Sequence, residues 1–389
     1  MYGLALVVFI LLSLLAKYPA FLFASKYAAA TGRSLLSSYR RQGKGALWFF
    51  TLSTLFSMFI ATAANLLITA GLAQATMGLD LGIFYVAVFY SVAGMALLIF
   101  GQYHWLDIVI KVLVILLTVA TVTATALALP NIDWSVSGAL LPSSFDVATI
   151  LFIAALVGWM PTPLDVSVWQ SQWAVAKARD TGKLPSQKEA GVDFNIGYVT
   201  TMILALCFVA LGASVMHGTG QSFESNPTLF AAQVIGLYQE TLGNWSGHVV
   251  GIAALAVMFS TYLTILDGFP RVLANLVLIA KGKEEAADED EETDRQRHYY
   301  YRVCMVIMVI GALIIMNFFL GSLSQLVDFA ATVSFLGAPV FAYLNHRAIH
   351  GTEVPVECRP GTGLRYWSYC GIAALVVFSL LYIYLAFFN

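Results

Sequence analysis

The residues with the most chemistry in them stand together inside one apolar stretch, Leu156-Val157-Gly158-Trp159-Met160-Pro161-Thr162-Pro163-Leu164-Asp165-Val166-Ser167. Proline has no backbone N–H, and its ring collides with the carbonyl four residues earlier. Pro161 and Pro163 therefore release the carbonyls of Val157 and Trp159. In hydrocarbon a freed carbonyl must find protein, water or an ion. Met160 adds a soft thioether beside these hard oxygens, a donor set that suits Mn²⁺ or Fe²⁺ better than Mg²⁺ or Ca²⁺, although methionine is also ordinary packing material. Asp165 adds a carboxylate, and a charge within a membrane span is costly enough to mark a functional position. Thr162-Pro163-Leu164-Asp165 also reads as a capping box, with Thr162 as N-cap, Pro163 at N1 and Asp165 at N3 of a restarted helix. The chemistry on offer is coordination of a cation at a broken helix by Val157, Trp159, Met160, Thr162 and Asp165.

Other polar groups in apolar segments are weaker candidates. Asp267 lies four residues before Arg271, the spacing of a helical ion pair at a membrane rim. Asp328 falls near the end of an apolar segment, where water can reach it. Asn65 shares a helical face with Thr62 and Thr69, as Thr118 does with Thr121 and Thr125. Such stripes either hydrogen-bond between helices or line a pathway. Lys17 is expected to stretch to the cytoplasmic interface. No H-E-x-x-H sequence, nucleophile elbow or histidine cluster occurs, so an enzyme is not expected. The four cysteines are scattered, which suggests neither a disulfide framework nor a thiolate metal site.

The elements that must position these residues follow from composition. Of 389 residues, 59% are hydrophobic and 11% charged, against roughly 25% charged in a soluble domain. Mean hydropathy is +0.80. This excludes a soluble enzyme, a nucleic-acid binder and a secreted domain, and leaves an all-α protein of the bilayer. With about 20 apolar residues per crossing, ten segments qualify: 3–24, 46–72, 81–101, 106–129, 148–172, 195–217, 247–270, 301–320, 323–344 and 367–388. Eighteen of the 20 Lys and Arg fall in four alternate connections, 25–45, 173–192, 271–302 and 345–366. Lysine and arginine gather on the cytoplasmic side, so these connections are expected inside and both termini outside. A run of eight acids among the eleven residues from Glu284 to Asp294 marks 280–298 as a solvated cytoplasmic linker.

Two stretches carry a family resemblance. Leu15-Ala16-Lys17-Tyr18-Pro19-Ala20-Phe21, followed by Tyr27-Ala28-Ala29-Ala30-Thr31-Gly32-Arg33-Ser34-Leu35-Leu36, resembles the second helix and following loop of the NRAMP divalent-metal transporters. Gly158-Trp159-Met160-Pro161-Thr162 resembles that family's broken sixth helix, whose motif reads Met-Pro-His. The likeness runs loosely to the end of the chain. It implies the LeuT-type inverted-repeat fold of the APC superfamily, formed as one polytopic membrane domain over 1–389. Within it, 1–130 would be the remainder of the first repeat, 148–344 the second repeat, and 367–388 an additional C-terminal helix.

The resemblance also implies a secondary transporter of the plasma (inner) membrane that moves Mn²⁺, Fe²⁺ or related cations inward, usually with protons, or Mg²⁺ as in subfamilies with divergent first helices and altered ion preference. The divalent metal would be transported substrate, with no cofactor bound permanently. The implied partners are that ion and the lipid bilayer, with no nucleic acid and no identifiable protein partner. The family's metal-binding methionine falls on Met160 and its neighbouring histidine on Thr162, which removes the imidazole expected to handle protons. The Asp-Pro-Gly-Asn type motif of the family's first helix is missing. The chain is thus expected to start at the second helix, either truncated upstream of Met1 or lacking half of the site. A sodium-coupled carrier of amino acids or other small organic solutes on the same architecture is the alternative, with the half-helix at Pro163 receiving a substrate carboxylate.

Overall fold

Long apolar runs leave the backbone few ways to satisfy itself in lipid, and in the computed structural model these runs are helices. The structure describes residues 3–100, 104–132, 141–142, 144–215, 224–283, 291–319 and 322–388. In chain order the helices are α1 (Leu6–Thr31, entered through a 3-10 turn at Gly3–Ala5), α2 (Leu35–Gln42), α3 (Lys44–Met77), α4 (Ile83–Phe100) and α5 (His104–Ala128). They continue as α6 (Val147–Trp159), α7 (Val166–Thr181), α8 (Gln187–Val215), α9 (Pro227–Leu242) and α10 (Ser246–Ala280). The last three are α11 (Glu291–Phe318), α12 (Leu323–Ile349) and α13 (Thr362–Phe388). Among the described residues nine helices are long and apolar enough to cross a membrane. The remaining expected segment, 148–172, is divided between α6 and α7, so all ten segments correspond to helical structure.

Burial sorts the helices. The most apolar window of α3 is 61% buried and those of α1 and α12 are 50% buried, whereas those of α5, α8 and α13 are only 17% buried. The first three are the inner scaffold, and the outer ones turn Ile115, Ile196 and Val377 outward as lipid-facing surface. Within the scaffold α6 packs on α12, α1 and α13, and α7 packs on α1, α10 and α2. The two halves of the interrupted segment are thus both held by α1.

The four basic connections lie at one end of the bundle. Gln187 donates to the Lys26 carbonyl (2.8 Å), Arg40 to the Lys283 carbonyl (3.3 Å) and Gln42 to the Leu344 carbonyl (2.9 Å), while Arg41 faces Glu353 at 3.8 Å. The connections without Lys or Arg meet at the other end, where Thr228 donates to Gln74 (2.6 Å) and the Leu323 N–H to the Ser225 carbonyl (3.1 Å). Of the acidic linker, 284–290 lie outside the described residues. Glu291, Glu292 and Asp294 form the first turn of α11, where acids favour the positive end of the helix dipole.

Local chemistry explains the helix ends nearest the site. Asp146 caps α6 by accepting from the Thr149 N–H at 2.8 Å, and this bond holds its carboxyl below the usual carboxylate range. Gly32 ends α1 in the left-handed region at φ +64°, its N–H returning to the Ala28 carbonyl, a conformation that glycine adopts without steric cost. Gly158 serves closeness instead. A Cβ there would collide with the Ala331 carbonyl oxygen of α12. Gly158→Ala is therefore expected to destabilise the fold by about 1–3 kcal/mol, as overpacking does. Thermal unfolding in detergent checks this, with Gly197→Ala, which meets nothing within 4 Å and gains helix propensity, as the control expected to lose no stability.

Candidate cation site at the broken helix

The helical pattern stops after Trp159 and resumes at Val166. The interruption is the one expected from Pro161 and Pro163, and the fate of the freed carbonyls is its main feature. Val157, four residues before Pro161, has its carbonyl 2.6 Å from Lys17 Nζ. The carbonyls of Gly158 (2.9 Å), Met160 (3.0 Å) and Thr162 (3.4 Å) accept from the same ammonium. The Ser13 hydroxyl donates to the Met160 carbonyl at 2.7 Å and lies 3.3 Å from that of Val157. Ser13 and Lys17 are one helical turn apart on α1, so a single face of that helix fills the break. The Trp159 carbonyl, expected as a donor, is not among those that accept from Lys17; the Trp159 indole instead donates to Ser334 Oγ at 3.3 Å.

Lys17 thus corrects the expectation that it reaches an interface. Its side chain is fully buried. The apolar segment was expected to end near residue 24, but the helical run extends from Gly3 to Thr31. Position 17 is its midpoint, about 21 Å of helix from either end at 1.5 Å per residue, beyond the reach of a lysine stem. The same helix shows the proline rule a second time. Pro19 releases the carbonyl of Leu15, and the Trp367 indole N–H takes it at 2.8 Å.

Asp165 is buried three residues beyond Thr162, the last carbonyl of this ring. It does not sit at N3. It is the residue immediately before α7, and it makes no side-chain cap hydrogen bond to the next turn. The turn leading into α7 runs through Val166 N–H to Pro163 O (3.2 Å) and Ser167 N–H to Leu164 O (3.2 Å). The capping-box register therefore starts at Pro163 as a tight turn, and the α-helix follows three residues later. A buried polar bridge, unforeseen from the sequence, packs alongside. Tyr39 donates to Asn345 Oδ1 (2.6 Å), and Asn345 Nδ2 donates to Ser167 Oγ (2.8 Å) and the Ala20 carbonyl (3.1 Å).

The remaining candidates lie elsewhere. Asp267 is fully engaged by Arg271 (2.8 Å and 3.1 Å), Trp173 Nε1 (2.7 Å) and the Tyr301 hydroxyl (2.8 Å), so its i, i+4 ion pair is present. Asp328 is exposed on α12. Asn65 is buried in α3, and its Oδ1 has no hydrogen-bond partner among the described residues. The hydroxyls of Thr62 and Thr69 bond back to the carbonyls of Met58 and Asn65 in their own helix, so this stripe does not bond between helices as expected. In the other stripe, Thr121 reaches Tyr238 (2.9 Å) and Thr125 the Cys207 carbonyl (3.2 Å). Among the described residues no three of His, Cys, Asp and Glu gather as a metal cluster.

A cavity of about 910 Å³ leads to the break from the basic end. Its lining includes Pro161 and Thr162 of the break, Gln170 and Tyr198, and Lys177 and Asp193.

Helices of this order, interrupted in the bundle interior with main-chain carbonyls turned onto a positive charge, define a membrane transporter rather than an enzyme. Similarity to solved structures agrees on the fold. The Eremococcus coleocola manganese transporter superposes with a TM-score of 0.63 at 15% identity, covering 97% of this chain and 79% of that one. MhsT in complex with L-phenylalanine gives 0.65 at 14% identity, over 99% and 94%. Mhp1, a nucleobase-cation-symport-1 family transporter, gives 0.56 at 15% identity, over 99% and 86%. The fold is thus the LeuT type. A family model described as natural resistance-associated macrophage protein-like matches residues 1–386. An uncharacterized protein of Pasteurella multocida (strain Pm70) is 33% identical over 385 residues, spanning 98% of this chain and 85% of that protein. The chain belongs to the Nramp family, and it is a multi-pass membrane protein.

Proposed function

We propose that this chain is a secondary transporter of divalent metal cations of the Mn²⁺ and Fe²⁺ class, working in the plasma membrane with its basic end in the cytoplasm and its C-terminus outside. Residues 1–130 and 148–344 act as the two repeats and 367–388 as the added helix. The observation that carries the reading is the cluster of carbonyls from Val157, Gly158, Met160 and Thr162 turned onto one positive charge in the bundle interior. Backbone of this kind at membrane depth is how discontinuous-helix transporters hold cations. Met160 and the buried Asp165 supply the soft and the charged donors beside it, and the cavity lined by Pro161, Thr162 and Lys177 gives a route from the basic end. Protons are the proposed coupling ion, without an imidazole at position 162. Both MhsT and the manganese transporter share the fold, so architecture alone does not choose a cargo; the donor set favours the metal.

The test is uptake into liposomes carrying the full chain, followed with a metal-sensitive dye and a pH-sensitive dye together. Mn²⁺ entry is expected to be suppressed by excess Fe²⁺ or Cd²⁺, untouched by a mixture of amino acids, and accompanied by internal acidification. Sodium-dependent amino-acid uptake with no response to Mn²⁺ would overturn the metal assignment.

A further inference from the structure

We infer that Lys17 is a tethered occupant of the cation seat: cargo binds by expelling its ammonium from the carbonyl ring, so divalent cations load and Na⁺ or K⁺ do not. The inference rests on the divalent-metal reading above and names the residue that sets its selectivity. An ammonium has three donors and no acceptor. The three shortest contacts, to Val157, Gly158 and Met160, use all of them, and Thr162 shares the same charge. The carbonyls a metal would need are therefore already turned onto the ammonium, with those of Val157 and Met160 also taken by Ser13, and a metal on the same oxygens would face the repulsion of that charge. Lys17 and a bound cation exclude one another.

The competition is unequal for ions of different charge. Lys17 is delivered by its own helix, so its effective concentration at the ring is that of an intramolecular group. Na⁺ brings the same single charge and has no such advantage. A divalent ion has twice the Coulomb attraction to the same oxygens and to the Asp165 carboxylate. The expelled ammonium also has somewhere to go. Thr162, whose carbonyl it touches, lines the 910 Å³ cavity, as do Phe21 and Ser25, one and two turns further along α1. A four-carbon stem turning toward that wall carries its charge to water.

Mn²⁺ binding by the purified full chain, wild type against Lys17→Met and Lys17→Gln, tests this. Lys17→Met is expected to tighten Mn²⁺ binding by roughly tenfold, about 1.4 kcal/mol, and Lys17→Gln to fall between. Replacing choline chloride by NaCl is expected to weaken Mn²⁺ binding to Lys17→Met but not to the wild type. Affinities of wild type and folded variants within about twofold of one another, with no sodium effect on any of them, would overturn the inference while leaving metal transport standing. Absence of Mn²⁺ binding in every protein, wild type included, would instead overturn the metal reading and this one with it. Should the variants fail to fold, amine acylation of the wild type with mass spectrometry decides. Lys17 is expected to be protected without metal and labelled once Mn²⁺ saturates the protein, and labelling that Mn²⁺ does not change counts against displacement.

Discussion

Asp165→Asn is expected to lower the initial rate of Mn²⁺ uptake by about a hundredfold, equivalent to about 2.8 kcal/mol, in a protein that still folds. Asp165 is the buried carboxylate at the entry to α7. Two unit charges about 4 Å apart interact by about 4 kcal/mol at the effective dielectric of a partly polar site, and a divalent ion by more. Neutralising that carboxylate therefore takes away attraction that four carbonyl dipoles do not replace. It also leaves the Lys17 ammonium without its compensating charge, and a buried cation so stripped depends still more on the carbonyl ring. Both effects oppose loading. Asparagine keeps the shape of the side chain, and Asp165 makes no side-chain cap bond to the next turn, so the cost at the helix start is expected to be about 1 kcal/mol at most. Uptake and melting temperature measured on the same preparation separate the two roles. A lower melting temperature with unchanged uptake would reduce Asp165 to a helix-entry residue.

How much of this site is legible in the sequence depends on the range of each interaction. Pro161 and Pro163 announce the break because the missing N–H and the ring clash act within four residues, and the Val157 carbonyl is freed as that rule requires. The ion pair of Asp267 with Arg271 is equally local. What the spacing does not reveal is which partner arrives from far away. Lys17 lies 140 residues from Val157, and placing it required the true end of α1. An apolar segment judged to stop near residue 24 puts Lys17 near an interface, whereas the helix that runs to Thr31 puts it at the centre. The signal was present in Ser13 and Lys17, four apart and therefore on one face, two polar groups in an otherwise apolar stretch. Of the two threonine stripes, the one at Thr121 and Thr125 bonds between helices as its spacing suggests, and the one at Thr62 and Thr69 does not. Hydroxyls in a helix can bond their own i−4 carbonyl, as Thr62 and Thr69 do, and periodicity does not distinguish that from contact with another helix. Asp165 was placed one turn too deep because a proline can open a tight turn before the α-helix proper begins.

Met160→Ala tests whether selectivity comes from the side chain or from the main chain alone. The Met160 carbonyl already accepts from Lys17 at 3.0 Å and from Ser13 at 2.7 Å, and alanine keeps that carbonyl. The substitution removes only the thioether, so any change in metal preference reads the sulfur. A soft ligand strengthens binding of Cd²⁺ and Mn²⁺ but adds little for Mg²⁺, which takes oxygen ligands. Losing a partner of a bound metal costs about 10–100-fold in affinity even from the outer shell, and a direct ligand is expected to cost at least as much. Calorimetric titration of Met160→Ala is therefore expected to show Mn²⁺ weakened by at least about tenfold, Cd²⁺ weakened more, and Mg²⁺ within about twofold of the wild type. Equal loss for all three ions would mean that the sulfur packs rather than coordinates. The seat would then be a purely oxygen cradle in which charge, set against the resident ammonium of Lys17, is the only discriminator. A wild-type protein that already binds Mg²⁺ as tightly as Mn²⁺ would point the same way, since hard carbonyl and carboxylate oxygens without sulfur have no reason to prefer the softer ion.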